Sequence, residues 1–488
     1  MSHPSRHAHP ALRLGAALAV LLTVADAQAI PAFARKYRTS CQTCHTQYPR
    51  LGPFGEAFRL SGYQYPEQDE DVQKGRPLDL GSERYEELFP DAVWPGRIME
   101  SVPLSIRAQG ALRIALPEEA GTDVDFQFPA LLALNGAGTL TEDIALWAGM
   151  HVMSSGEVAA EKVVFVFSNL FDFAGVPRHL LNLRVGQFEP ESQPFSPHRQ
   201  VGLTASSFAG FRLTRWAAQQ AGIVGSGTGT AHAHLVTAKA DASHEAATDT
   251  AATDTATGAA TSVSIAGGTS ILGLDRGVEL YGVVASRLLY AVGVFNGNGA
   301  AAPVAEAFDP NTGKDVTGRL QVKLGGMAFD GTGDVDEKSW REHSVAIGAF
   351  TRWGEATLTR SDTGGTWDSE HLRIGADFDI RLSDFQITLA AAWDRDANPI
   401  GDGVAEDAVA WYGEVYTVWL PWLQSSVRAQ GVAAGGDKEL AAMDVAGTLS
   451  FLVVPNFKAL VEASFDLTET HHFPSGNSAV LVGIDGAF

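Results

Sequence analysis

LRIGADFDIRL, residues 372–382, carries an apolar or small side chain at every second position. Leu372, Ile374, Ala376, Phe378, Ile380 and Leu382 alternate with Arg373, Gly375, Asp377, Asp379 and Arg381. Successive side chains of a strand point to opposite faces, so the stretch predicts a strand with one apolar and one charged face. FKALVEASFDL (457–467) and FQITLAAAW (385–393) repeat the pattern. It runs from about Val102 to the C-terminus. Strands of ~10 residues alternating over such a length predict an all-β transmembrane barrel, apolar toward lipid and polar toward the lumen. In lipid only closure satisfies the backbone of every strand.

The connections agree. Short turns at RLSD (381–384), LPW (420–422) and VPN (454–456) are separated by longer polar stretches, DRDANPIGDGVAED, GGDKEL and TETHHFPSGNS. Outer-membrane barrels alternate short and long connections in this way. Trp411, Tyr412, Tyr416, Trp419 and Trp422 are candidates for an interfacial girdle. The last strand, SAVLVGIDGAF, ends in Phe488. About 16 antiparallel strands are expected. The alternation breaks between residues 286 and 316, where VVASRLLY reads as a tight turn of the wrong parity.

Composition excludes several classes. The 488 residues include 57 acidic and 35 basic ones, for a net charge of −22, which disfavours nucleic acid and suits cations or basic partners. After residue 30 no apolar run reaches the ~20 residues of a membrane helix. Residues 1–29, with Arg6 and Arg13 before LGAALAVLLTVA and the small residues Ala27 and Ala29 after it, read as a secretory signal peptide. Residues 226–262 are low-complexity Ala/Thr/Asp/Gly and read as a surface loop. Solvation is the expected state of its histidines, His232, His234 and His244. Residues 30–100 lack the alternation; they contain the helix-like PRLGPFGEAFRLSGY, stopped by Gly62, and a polar linker. The barrel then occupies residues 101–488.

Both cysteines of the chain fall in CQTCH, residues 41–45. C-x-x-C-H is the c-type haem attachment pattern. Two cysteines three apart can form thioethers with the two vinyl groups of one porphyrin, and His45 then meets the iron as proximal ligand. One covalent haem c is expected, held by Cys41, Cys44 and His45. A reversible CxxC redox pair would need a βαβ context, and zinc would need two further ligands. The second axial ligand is open between Met99, His151, Met153 and His198, with Met99 foremost.

IPAFARKYRTSCQTCHTQYPRLGPFGEAFRLSGYQYP followed by a long barrel resembles the outer-membrane porin–cytochrome c fusions, the monohaem outer-membrane cytochromes of iron-oxidising bacteria. FAR before the motif, then CxxCH, PFGxxF and GY carry the resemblance. LRVGQFEP (183–190) and DRGVELYGVVASRLLYAVGVFNGNG (275–299) are similar to the phosphate-selective porin O/P family. The resemblance implies a small, mostly helical or irregular monohaem segment in front of the barrel. It also implies electron passage across the outer membrane of a Gram-negative bacterium, between an extracellular donor or acceptor such as Fe(II) and periplasmic carrier proteins.

One haem below the membrane cannot bridge ~30 Å of hydrocarbon, so conduction requires the segment to fold into the lumen. Acidic loops, DGTGDVDEK (330–338) and DRDANPIGDGVAED (394–407), would attract a cationic donor. Asp394, Asp396 and Asn398 begin like a calcium loop, without its Gly at position six or Glu at position twelve. The alternative is a solute-conducting porin with a haem-bearing plug or docking segment; a third reading, a haem enzyme acting on peroxide, needs an open sixth position.

Overall fold

The computed structural model describes residues 32–66, 104–116, 124–152, 158–221, 265–266, 271–297, 313–333, 338 and 340–487, apart from short gaps at 38, 142, 205, 361–362, 437–438 and 469–477. The signal segment, Met99, Met153, Phe488 and the 226–262 loop lie outside the described residues.

A short leading segment holds helices α1 (Ala32–Lys36), α2 (Cys41–Cys44) and α3 (Pro53–Leu60) and a two-stranded sheet of β1 (His45–Gln47) and β2 (Arg50–Leu51). The wall follows as β3 (Leu104–Ala115), β4 (Val124–Thr141), β5 (Ile144–Val152), β6 (Val158–Phe167), β7 (Asn182–Phe188), β8 (Ile265–Ala266), β9 (Asp275–Val284), β10 (Leu288–Phe295) and β11 (Asp315–Gly325). It continues as β12 (Glu342–Arg360), β13 (Thr366–Ser383), β14 (Phe385–Asp396), β15 (Glu406–Leu420), β16 (Leu423–Ala434), β17 (Glu439–Val454), β18 (Phe457–Asp466) and β19 (Ala479–Ala487). All pairings are antiparallel, and β19 pairs β3 to close the barrel. Sixteen strands form the wall; β8, two residues long, pairs the end of β12.

The alternation sorts the side chains as expected. On β13 Ile374, Phe378 and Leu382 are exposed on the outside while Arg373, Asp377 and Arg381 are buried inside. On β18 Val461 and Phe465 face out and Lys458 and Glu462 face in. The inner face is lined with ion pairs: Arg352–Asp275 at 2.6 Å, Arg319–Asp377 at 2.9 Å, Lys323–Glu342 at 2.8 Å and Arg107–Asp485 at 2.8 Å. Buried charges persist only when paired in this way.

VVASRLLY is a genuine hairpin: Ala285 and Ser286 both take positive φ, 47° and 61°, between β9 and β10. Val284 pairs with Leu288, so the loop has three residues, Ala285–Arg287, and a three-residue loop shifts the parity by one from that of a two-residue turn. The turns at Ser383–Asp384, Pro421–Trp422 and Pro455–Asn456 share that end of the barrel with the 326–341 connection. Asp330 is therefore at the short-turn end rather than among the long loops, its neighbourhood marked by Phe329 N donating to Ser286 O, while residues 334–337 of the acidic stretch lie outside the described residues. Trp419 and Trp422 are exposed, as a girdle requires, but Tyr412 and Tyr416 are buried in the lumen, because they fall on the inward parity of β15.

Two segments fill the barrel. Residues 32–66 touch lumen-facing groups around its whole circumference: Lys36 Nζ donates to Thr139 at 3.0 Å, Arg50 pairs with Glu414 at 2.7 Å, Lys458 Nζ donates to Tyr48 O at 2.9 Å, and Tyr281 donates to Leu60 O at 3.1 Å. Only a segment inside the cylinder can meet β4, β9, β15 and β18 together. The second is the connection after β7, with α4 (Ser207–Gly210) and α5 (Leu213–Gln220). Phe208, Phe211, Leu213 and Trp216 pack on the inward alanines Ala390, Ala392, Ala408, Ala410 and Ala434.

Candidate functional site

The site is built from the tightest part of the leading segment. Cys41–Cys44 make one helical turn, and His45 leaves it in an extended conformation with its N–H on Cys41 O. Helix α3 begins with Pro53 at its first turn, where a missing N–H costs nothing, and lies against this turn. Gly55 is required for that approach: a Cβ there would run into the carbonyl oxygen of Cys44. Gly62 ends the helix with φ 75°, and a Cβ on it would meet the Ser168 hydroxyl. The glycines of PFGxxF and GY thus fix how the helix sits on the cysteine turn and on the wall. Phe58 is buried among Phe33, Tyr37, Tyr63 and Tyr65, with ring centroids 5.2–6.4 Å apart.

Cys41, Cys44 and His45 all face one cavity of about 300 Å³, at the lower end of the usual range for ligand pockets. The two cysteines are not joined in a disulfide. Burial pushes the Cys44 thiol up to about 12 and raises Cys41 as well. A reactive redox pair needs the opposite, a lowered thiol pKa. Burial lowers His45 to about 4, so its imidazole is neutral at pH 7 and able to ligate. Its Nδ1 is buried and has no hydrogen-bond partner.

The rest of the lining comes from the wall and from the inward connection. Phe33, Tyr48, Phe58, Tyr63 and Trp147 give aromatic faces; Arg107, Lys162 and Arg199 give cations. Opposite groups from β5, β6 and the 189–199 stretch complete it: His151, Glu161, Glu189 and His198. His151 Nε2 lies 2.5 Å from Glu161 Oε2, and His198 Nδ1 contacts Glu161 Oε1. The donor set suits a flat apolar ring carrying two vinyl groups: two thiols beside an imidazole nitrogen without a hydrogen bond, and aromatic walls, with Lys162 as a cation for a carboxylate. Bound there, haem c would be held by Cys41 and Cys44 and ligated by His45.

Of the sequence-derived candidates, Cys41, Cys44, His45, His151 and His198 share this cavity, while Met99 and Met153 lie outside the described residues. Asp394 is committed elsewhere, to Arg373 at 2.8 Å, and Asp396 accepts from Asn398 N, so neither is presented to a calcium ion. Glu161 and Glu189 escaped the sequence reading. Glu161 sits in an ordinary alternating strand, and nothing local marks a carboxylate that meets a histidine 37 positions later.

The geometry defines a closed antiparallel barrel with an internal, chain-derived cavity. No protein family matches the chain, and no curated protein matches it. Among solved structures it is similar to OmpF of Salmonella typhi in complex with daunomycin, at 10% identity and TM-score 0.45, over 80% of this chain and 98% of that one. It is also similar to the outer membrane channel DcaP of Acinetobacter baumannii, at 9% identity and TM-score 0.45, over 80% and 97%. A loop-deletion form of OmpT, an outer membrane protein of Vibrio cholerae, matches at 9% identity and TM-score 0.43, over 79% and 98%.

Proposed function

We propose that the chain is an outer-membrane electron conduit in which Cys41, Cys44 and His45 hold one covalent haem c within the barrel. Electrons would pass between an extracellular donor, with Fe(II) the leading candidate, and periplasmic carrier proteins. The observation that carries the reading is the seating of residues 32–66 inside the lumen, since a haem motif hanging outside the barrel could not serve the crossing. Outward-facing Ile347, Leu389, Val461 and Val482 supply the lipid-facing side, and long loops such as 397–405 mark the extracellular end.

The chain's own residues have definite tasks. Cys41 and Cys44 anchor, and neutral His45 ligates. The aromatic cluster of Phe33, Phe58, Tyr63 and Trp147 excludes water, which tunes potential. Arg107 pairs with Asp485 and Arg199 with Glu56, and Lys162 donates to the Tyr63 hydroxyl at the cavity wall. The bound group supplies reversible one-electron chemistry.

A solute-conducting porin with residues 32–66 as its plug is the second reading. It is favoured by the wall itself, because sixteen strands leave an aqueous channel when nothing fills it. Two measurements on the detergent-purified protein separate them. The conduit requires haem that survives denaturing electrophoresis and is reduced anaerobically by Fe(II), with little ion conductance in planar bilayers. Open-channel conductance with haem indifferent to any external donor selects the porin. A colourless denatured polypeptide defeats the haem assignment in both.

A further inference from the structure

Three histidines enter the cavity, and two of them carry a buried ring nitrogen with no hydrogen-bond partner: His45 Nδ1 and His198 Nε2. They arrive from different parts of the chain. His45 follows the cysteine turn, and His198 sits in the turn Pro197–Arg199 of the inward connection. The other nitrogen of His198, Nδ1, contacts Glu161 Oε1. His198 Nε2 lies 3.2 Å from Glu189 Oε1, without the direction a hydrogen bond needs; both atoms are left unpartnered.

That pattern has a chemical meaning. A histidine that ligates a metal usually donates its second ring N–H to a carboxylate, which fixes tautomer and ring orientation. With Nδ1 engaged by Glu161, Nε2 is the nitrogen left without a hydrogen bond, in a ring that lines the cavity. His151 differs, since its Nε2 is taken by Glu161 Oε2 at 2.5 Å. One carboxylate therefore engages both rings but leaves only His198 with a buried Nε2 that makes no hydrogen bond.

We infer that His198 is the second axial ligand of the group attached at Cys41 and Cys44, with Glu161 as its positioning residue. The inference rests on the haem reading. It implies a six-coordinate centre with two imidazoles, which excludes the peroxide-acting enzyme. It also gives the inward connection a role in the site: the leading segment supplies one ligand and the post-β7 connection the other, so the site is complete only when both are inserted.

The test uses the full chain, matured with haem and purified in detergent, read by absorption and electron paramagnetic resonance. Wild type should show a low-spin, bis-imidazole signature. His198→Ala should turn the ferric centre high-spin, allow the ferrous form to bind carbon monoxide, and recover a low-spin spectrum on addition of imidazole. His151→Ala should keep the wild-type signature. Glu161→Gln should stay low-spin with a shifted potential. Heat-modifiable electrophoretic mobility checks that each variant still forms the barrel. A wild-type spectrum in His198→Ala, or loss of the low-spin signature in His151→Ala instead, overturns the assignment of His198. Absence of covalent haem from the wild type is a different failure and removes the parent reading.

Discussion

The two segments that fill the lumen are held there by different forces. Residues 32–66 meet the wall through polar contacts of Arg50 with Glu414 and Gln386 and of Gln47 with Ser450, and through Leu60 in an apolar cluster with Val164, Val166 and Tyr281; Arg59 on Glu191 and Glu56 on Arg199 tie them to the post-β7 connection. The post-β7 connection docks through aromatic side chains laid on a floor of alanines, with its Leu203 and Thr204 N–H groups tied to Glu462 at 2.6 and 2.9 Å. Buried ion pairs add little net stability over apolar packing but fix geometry, and removing one partner is costly. Apolar contacts give stability with less directional demand. A segment that must hold a cofactor in one orientation would use the first kind; a segment that must simply stay inside would use the second.

The strongest break in that contrast is chemical. Cys41→Ala with Cys44→Ala should abolish covalent haem completely while the barrel still folds, whereas no substitution at Trp216 should touch the thioethers. Haem-stained denaturing gels decide between all and nothing. Equal loss of haem from both variants would mean the two segments are not separable in function.

Trp216→Ala comes next. The side chain is buried on Ala434 and its neighbours, and a Cβ at Gly435 would press against its ring. Truncating such a residue costs about 3–5 kcal/mol, enough to release the connection from the wall. Limited proteolysis at Arg212 and Arg215 should accelerate sharply, with the leading segment still protected.

Arg50→Ala tests the polar side. It leaves Glu414 buried without its cation, at a cost of about 3 kcal/mol, and removes the guanidinium stacked 4.5 Å from the Tyr416 ring. Hydrogen exchange should rise across residues 45–51, and Glu414→Gln in the same chain should recover part of the protection. Without that recovery, the stacking on Tyr416 rather than the charge pair holds the segment.

How much of this was legible beforehand follows the same divide. The wall is written locally: every second residue of LRIGADFDIRL reports which face it takes, and Pro421 and Asn456 mark turns where they stand. The C-x-x-C-H motif is local too. The interior is not. Trp216 and Ala434, or Glu161 and His198, meet across tens to hundreds of residues, and no period in the chain records such a meeting. SFAGFRLTRWAAQQ does carry one signal, apolar residues at helical spacing inside a long connection. Tyr412 and Tyr416 were misplaced because an aromatic near a strand end fits a girdle and a lumen equally; parity alone separates them.

Acidification should separate the two segments by degree. Burial would raise the Glu56 carboxyl, but Arg199 and Arg59 outweigh it and hold the group at about 2. A carboxylate depressed in the folded state lends stability that is fully present above its ordinary 4.5 and is lost as pH falls from there toward 2. Because Arg199 belongs to the post-β7 connection, the tie lost over that window joins residues 53–60 to the Pro197–Arg199 turn, while the Trp216 contacts contain nothing that titrates. Exchange or proteolysis at graded pH should show α3 and the Pro197–Arg199 turn loosening before the α5 contacts; simultaneous release would mean the wall itself had opened.

The finest test is Tyr281→Phe. The Tyr281 ring is fully buried, with the Arg184 guanidinium 4.0 Å from its centre, and its hydroxyl donates to Leu60 O at the end of α3. The substitution keeps ring, packing and cation–π contact and deletes one hydrogen bond. A net loss of about 1 kcal/mol is expected, because the carbonyl of Leu60 is left in a buried setting without its donor. That is too little to unseat a segment anchored at Arg50, Arg59 and Lys458, so haem content and barrel mobility should match wild type. Exchange of amides at the end of α3 should still rise about fivefold. A larger loss would show that the polar contacts act cooperatively, with α3 and the wall behaving as one unit rather than as separately removable ties.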